Sequence, residues 1–240
     1  MNSATKPKTE ALIGEAPDWA WHAIEMAMAA LKAKDPYTYE HCLRVGNIAR
    51  LIAEAAGLNW HEQRICEFSG MLHDVGKMGT PDGILKKPAK LTAEEDKIMQ
   101  EHPLHSVRIV EPLARIPFFR FCLPGIRNHH ERIDGRGYPD GLSGDMIPLT
   151  ARIVTVADSF DAMTNSRVYR KGLSFEYAFK ELKVFSGSQF DLQLVKIFLQ
   201  AFPHWEKAGE VGRPAASARE TVETAATPMV QEVTPLKRAA

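Results

Sequence analysis

Apolar residues recur along most of this chain at intervals of three and four, the period of helices with one buried face. Trp21, Ile24, Met28 and Leu31 mark a first helix from Asp18, its expected cap, to about Lys34, where Asp35-Pro36 breaks it. His41, Val45, Ile48, Ile52 and Ala56 form the stripe of a second helix, about Tyr37 to Ala56. After Gly57 a third runs from about Trp60 to His73 with Ile65, Phe68 and Leu72 on one side. Residues 78–91, rich in glycine, proline and lysine, read as a loop. Thr92-Ala93-Glu94-Glu95 is a capping box that opens a helix ending near Glu101. Pro103 suits the first turn of the next, which carries Leu104, Val107, Val110 and Leu113. Phe118, Phe119 and Phe121 read as core, and a short helix after Pro124 leads to His129. The glycine-dense run 134–141 must turn tightly. From Pro148 a strong helix carries Ile153, Val156, Phe160 and Met163. Ser174 caps another, and a last helix from about Asp191 to Phe202 carries Leu194, Val195, Phe198 and Leu199. No stretch alternates with the period of a strand, so the expected class is all-α. The expected organisation is a loose polar leader over 1–16, one folded domain over 17–204 and a disordered tail over 205–240.

Composition narrows the function less than the pattern does. Thirty basic and thirty acidic side chains cancel, so no global charge draws the chain to a nucleic acid polymer or an anionic membrane. The three cysteines are scattered, which argues against a disulfide framework or a thiolate zinc site and for a reducing cytoplasm. There is no signal-peptide pattern at the start and no apolar run long enough for a membrane span.

The chemistry lies in polar residues placed where the helical pattern points inward or ends. His41 sits in the apolar stripe of the second helix. His73 and Asp74 stand side by side at the end of the third, with Gly76 to stop the helix and Lys77 shortly after. His102 lies at a junction of two helices, His129 and His130 at the end of another, and Asp158 and Asp161 three apart inside an otherwise apolar helix. Each alone suits a bland role: a core histidine, a capping aspartate, a helix terminus. Together His41, His73, Asp74, His102, His129, His130 and Asp158 are too many donors for one tetrahedral ion, and suit two divalent ions sharing a carboxylate. Two metals ~3.5–4 Å apart are a recurrent device for hydrolysing phosphate esters, lowering the pKa of a bound water and neutralising charge on the phosphoryl oxygens.

The pieces follow one another as His41-x-x-Arg44-Val45, His73-Asp74-x-Gly76-Lys77, Glu101-His102-Pro103 and His129-His130-Glu131. Then come Asp134-Gly135-x-Gly137-Tyr138-Pro139-x-Gly141, Val156-Ala157-Asp158-x-Phe160-Asp161-Ala162-Met163-Thr164 and Arg167-x-Tyr169-Arg170. In order and spacing, from about Asp35 to Phe198, the chain resembles the HD-GYP family of the HD superfamily of metal-dependent phosphohydrolases. The resemblance implies an HD-superfamily helical bundle with an irregular Gly-Tyr-Pro loop. It implies a phosphodiesterase that hydrolyses the bacterial second messenger cyclic di-GMP to pGpG or on to GMP. One metal would be held by His41, His73, Asp74 and Asp158, the other by His102, His129 and His130, with Asp74 bridging. Iron or manganese is the expected pair, with zinc or nickel as alternatives. Lys77 would reach a phosphate and, with Asp74, serve catalysis. Arg167 and Arg170 would bind the other phosphate and a guanine face, and Asp161 would contact a guanine edge or orient those arginines. Gly137 and Tyr138 count with the substrate residues, and Glu131 with the partners of a ligand histidine. Family members with a third metal carry a glutamate four residues before the first histidine; here that residue is Tyr37, which argues for two metals and for pGpG as product. The resemblance leaves two other readings open: an adaptor whose Gly-Tyr-Pro loop docks a diguanylate cyclase, and a hydrolase of another cyclic dinucleotide such as cyclic GMP-AMP. With no sensor domain recognised ahead of the motifs, control is expected from a partner, a homodimer, metal supply or the tails.

Overall fold

The computed structural model describes residues 16–165 and 171–211. Ten α-helices follow in order: α1 Asp18–Lys34, α2 Pro36–Ala55, α3 Trp60–Leu72, α4 Asp82–Leu85, α5 Ala93–Met99, α6 His102–Val110, α7 Pro117–Asn128, α8 Leu149–Thr164, α9 Phe175–Val184 and α10 Leu192–Lys207. A 3-10 turn, Val75–Gly79, follows α3. No strand occurs among the described residues, only an isolated bridge between Ser186 and Phe190. The all-α expectation holds, and no helix among these residues is long and apolar enough to cross a membrane.

Two apolar clusters flank the polar seam that holds the site. In the first, Trp21 of α1 meets Phe68 of α3 and Phe118 and Phe119 of α7, with ring centroids 5.3–5.6 Å apart. In the second, Phe160 of α8 packs against Phe198 and Phe202 of α10 at 4.9 and 5.2 Å, over Val45, Ile48 and Ile52 of α2. Ring pairs at these separations add to the area they bury. The three cysteines are buried and free.

Several boundaries differ from the sequence expectation, each for a packing reason. Pro17, not Asp18, occupies the cap position of α1, and Asp18 lies in its first turn, where its charge suits the helix dipole. The run 117–128 is one helix with Pro124 inside it. An internal proline costs about 3 kcal/mol, and the fully buried Phe118, Phe119, Cys122 and Ile126 offset that. Phe121, expected in the core, points outward and is 46% exposed. The loop 78–91 contains the short α4. At the other end, α10 continues past Pro203 to Lys207. Trp205 packs on Phe198, and Asn47 of α2 donates to the Glu210 carbonyl oxygen. The expected start of the tail at 205 therefore falls inside the packed region.

Candidate metal centre

Three of the candidate ligand histidines share one local design. A helix leaves its last carbonyls without partners. His73 follows α3 and its Nδ1 lies 2.6 Å from the Gly70 oxygen. His102 follows α5 and its Nδ1 lies 2.7 Å from the Met99 oxygen. His129 follows α7 and its Nδ1 lies 2.8 Å from the Ile126 oxygen. Each is a bond back three residues to an orphan carbonyl. A carbonyl only accepts, so each Nδ1 carries the proton and each Nε2 is left with its lone pair. The ends of α3 and α7 also bring partial negative charge to the site, which favours cations.

His41 is different because it lies inside α2, where the carbonyls are taken by the helix. Its Nδ1 finds Asp161 of α8 instead, at 2.7 Å. Arg44, one turn along α2, donates to both oxygens of Asp161 from Nε and NH2 at 2.8 and 3.0 Å, and Asn165 donates at 2.8 Å. Asp161 is 1% exposed. The expectation that it contacts a guanine edge is therefore corrected: its oxygens are spent on His41, Arg44 and Asn165 beneath the site. Arg44 belongs to the same framework, and sequence reasoning gave it no role.

The Nε2 atoms and two carboxylates converge. His41 Nε2 lies 3.1 Å from Asp158 Oδ1, His73 Nε2 lies 3.3 Å from Asp74 Oδ2, and His102 Nε2 lies 3.1 Å from Asp74 Oδ1. The Nε2 atoms of His129 and His130 lie 3.3 and 3.2 Å from that of His102. Three sets have donor atoms within 4.8 Å of one another: His41, His73 and Asp158; His102, His129 and His130; and His73, Asp74 and His129. His73 Nε2 and Asp74 Oδ1 are buried without a hydrogen-bond partner. Buried lone pairs facing one another are costly unless a cation lies among them. Imidazole and carboxylate donors suit first-row divalent metals, so the residues fit such ions.

Charge balance without metal agrees. Burial disfavours a charged Asp74, but His73, Lys77 and His102 outweigh it and hold the carboxyl well below its usual range. Burial likewise opposes ionisation of Asp158, and His41 and His73 overcome it. Burial pushes His73 down, yet Asp74 raises it well above the ordinary histidine value; Asp158 and Asp161 do the same more weakly for His41. Burial and neighbouring imidazoles depress His129 strongly, and they lower His130 to about 3. Without an ion, a second proton is therefore favoured on His41 and His73 and disfavoured on His129 and His130.

Hydroxyls tie the ligand-bearing elements together. Ser106 of α6 donates to the His73 carbonyl oxygen at 2.7 Å and accepts from Gly76 N–H at 2.8 Å. Gly76 is glycine because a Cβ there would overlap the His102 carbonyl oxygen and the Ser106 nitrogen. Thr155 of α8 donates to the His129 carbonyl oxygen at 2.7 Å. Neither hydroxyl stands out in the sequence, since serine and threonine inside helices are common.

The Gly-Tyr-Pro loop closes one side. Gly137 packs on the backbone of residues 130–132, where a Cβ would not fit. Tyr138 stacks on His130 with ring centroids 4.7 Å apart. Glu131 was expected to support a ligand histidine; it instead accepts from the loop N–H groups of Asp140 and Leu142 at 2.7 and 3.1 Å. Lys77 Nζ lies 2.5 Å from Asp74 Oδ2, with 19% of its side chain exposed. Tyr37 lies over His41 with the rings nearly parallel, 6.4 Å between centroids. A cavity of about 300 Å³ opens at His129, His130 and Asp158, lined also by Tyr138, Arg132, Arg136 and Gln189. The expected substrate residues Arg167 and Arg170 lie outside the described residues.

Residues 25–194 match the family model described as HD domain. The chain is 37% identical over 191 residues to a cyclic di-GMP phosphodiesterase of Thermotoga maritima, covering 80% of this chain and 52% of that protein. It is 41% identical over 174 residues to the cyclic di-GMP phosphodiesterase response regulator RpfG of Xanthomonas campestris, covering 71% and 45%. The chain thus spans about half the length of these curated relatives. In three dimensions it is similar to a cyclic GMP-AMP specific phosphodiesterase of Vibrio cholerae, with a TM-score of 0.60 at 20% identity, covering 85% of this chain and 53% of that one.

Proposed function

The chain belongs to the HD domain family, in its HD-GYP branch, and on that premise we propose that it is a metal-dependent phosphodiesterase hydrolysing cyclic di-GMP to linear pGpG. The observation that carries the reading is the convergence of five histidine Nε2 atoms and two carboxylates, with His73 Nε2 and Asp74 Oδ1 left unpartnered in the interior. His41, His73, Asp74 and Asp158 would hold one divalent ion and His102, His129 and His130 the other, with Asp74 available to both. Iron or manganese suits this donor set, and availability chooses among them, zinc and nickel. Bound there, the ions lower the pKa of water and neutralise phosphoryl charge.

The rest is done by the chain. The bonds from Nδ1 of His41, His73, His102 and His129 hold four imidazoles in one tautomer and one orientation before any ligand arrives. Lys77 is the ammonium nearest the shared carboxylate, placed to take a phosphoryl oxygen as a point charge. The ring of Tyr138 over His130 screens that ligand from water on the loop side. Tyr37, where a third-metal glutamate would stand, brings no carboxylate to the site, in keeping with two ions and a single cleavage.

Purified protein loaded with iron or manganese is expected to convert cyclic di-GMP to pGpG, with side-by-side kinetics on cyclic GMP-AMP deciding the second purine. Asp74→Ala should lose both ions by elemental analysis and all hydrolysis; retained activity would sink the shared-carboxylate centre. Lys77→Ala should keep both ions and lose kcat/KM, and an unchanged kcat/KM would remove Lys77 from the site.

A further inference from the structure

Gln189 stands in the wall of the cavity that opens at the metal donors, on the short turn between α9 and α10. Its amide orientation is settled by its neighbour. Arg132 NH1 donates to Gln189 Oε1 at 2.9 Å, and a guanidinium has no acceptor to offer. The amide oxygen therefore faces Arg132 and the NH2 group faces away. Arg132 is itself fixed, forked onto Asp134 at 3.0 and 2.7 Å. The backbone of the two segments is stitched together as well, with Asp134 N–H to the Ser188 oxygen at 2.8 Å and Ile133 N–H to the Gln189 oxygen at 3.4 Å. No protein group among the described residues accepts from the Gln189 NH2. Arg136, an exposed guanidinium on the same cavity, adds only further donors.

The cavity lining also carries acceptors, Asp158 among them, but a donor fixed in place discriminates between purines at the base edge it meets. The edge of guanine carrying N7 and O6 presents two acceptors, whereas the same edge of adenine presents the N7 acceptor and the N6 amino donor. An NH2 set against the O6 position pairs with guanine, whereas at that position the adenine amino group meets another donor. We propose that Gln189, positioned by Arg132, is a specificity-determining residue that selects guanine over adenine in the nucleotide occupying this cavity. The proposal rests on the reading that a cyclic dinucleotide is the substrate. The cavity, at about 300 Å³, lies at the small end of ligand pockets and suits one nucleotide of the two.

The test compares wild type, Gln189→Glu and Gln189→Ala on cyclic di-GMP and cyclic di-AMP. Calorimetric affinities on metal-free protein are read beside kcat/KM on metal-loaded protein. Glutamate keeps an acceptor for Arg132 but replaces the NH2 with a second acceptor. Wild type should favour cyclic di-GMP by about tenfold or more. Gln189→Ala should reduce that ratio and Gln189→Glu should abolish or invert it. Equal losses on both ligands, an unchanged ratio, or no guanine preference in the wild type would each overturn the proposal. Wild-type turnover of bis(p-nitrophenyl) phosphate separates the two failures. A protein that cleaves neither this diester nor cyclic di-GMP refutes the phosphodiesterase reading, while the binding ratio still decides base selection.

Discussion

Replacing Asp161 with asparagine tests whether the centre depends on the framework beneath it. The side chain keeps its shape and loses one acceptor. Asp161 now accepts from His41 Nδ1 through one oxygen and from Arg44 through both. In the variant a single amide oxygen remains, so Arg44 faces an NH2 group in either orientation, joined in one of them by His41, donor against donor. Breaking a fully buried pair by removing one partner costs about 3–5 kcal/mol. Arg44 keeps 14% of its side chain exposed, so water recovers part of this and the expected loss is about 3 kcal/mol. His41 also loses the group that fixes its tautomer, and outer-shell changes of this kind weaken metal binding by about 10–100-fold. Urea unfolding of the metal-free protein reads the first quantity, and competition of manganese with a chelator reads the second. A variant within about 1 kcal/mol of wild type and with unchanged manganese affinity would refute the claim that Asp161 holds His41.

Three further changes probe other parts of the argument. His130 is lowered to about 3 in the folded, metal-free protein and titrates near 6.5 when unfolded. The unfolded state therefore takes up its proton first as pH falls, so stability from this group is complete above about 6.5 and is lost progressively down to the folded value. At about pH 5 the loss is about 2 kcal/mol, and His130→Gln should flatten the metal-free stability profile by that amount; parallel profiles would refute it. Gly76→Ala would push a Cβ into the α6 backbone at His102 and Ser106, with an expected cost of about 3 kcal/mol and loss of the second ion by elemental analysis; a wild-type melting curve and full metal content would contradict the tight crossing. Ending the chain at His204 removes Trp205 from Phe198 and the Asn47 bond to Glu210. It should destabilise by about 2 kcal/mol in urea unfolding, whereas no change would mean that the packed region ends where α10 first meets proline.

The sequence by itself determined the helices and the candidate ligands. Helical period is local, so the stripes of α2, α8 and α10 were legible, as was the capping box at Thr92. The seven candidate ligands were legible because polar residues interrupted apolar stripes or stood at helix ends, and because the His-Asp and Gly-Tyr-Pro motifs carry fixed spacing. Tertiary structure decided how the ligands are held. His73, His102 and His129 needed only the spare carbonyls of their own helix ends, a local matter, yet His41 in mid-helix needed an acceptor from α8, 120 residues away. Nothing in the spacing tells an aspartate that faces substrate from one that faces another helix, so the bonds of Asp161 to His41 and Arg44 were not foreseen. The same holds for Pro124, which a local rule places at a helix start but the buried face of Phe118, Phe119 and Ile126 carries through. Ser106, Thr155 and the Arg132–Gln189 pair likewise acquire meaning only from what the fold brings across from another element, because a hydrogen bond between distant segments leaves no period in the chain.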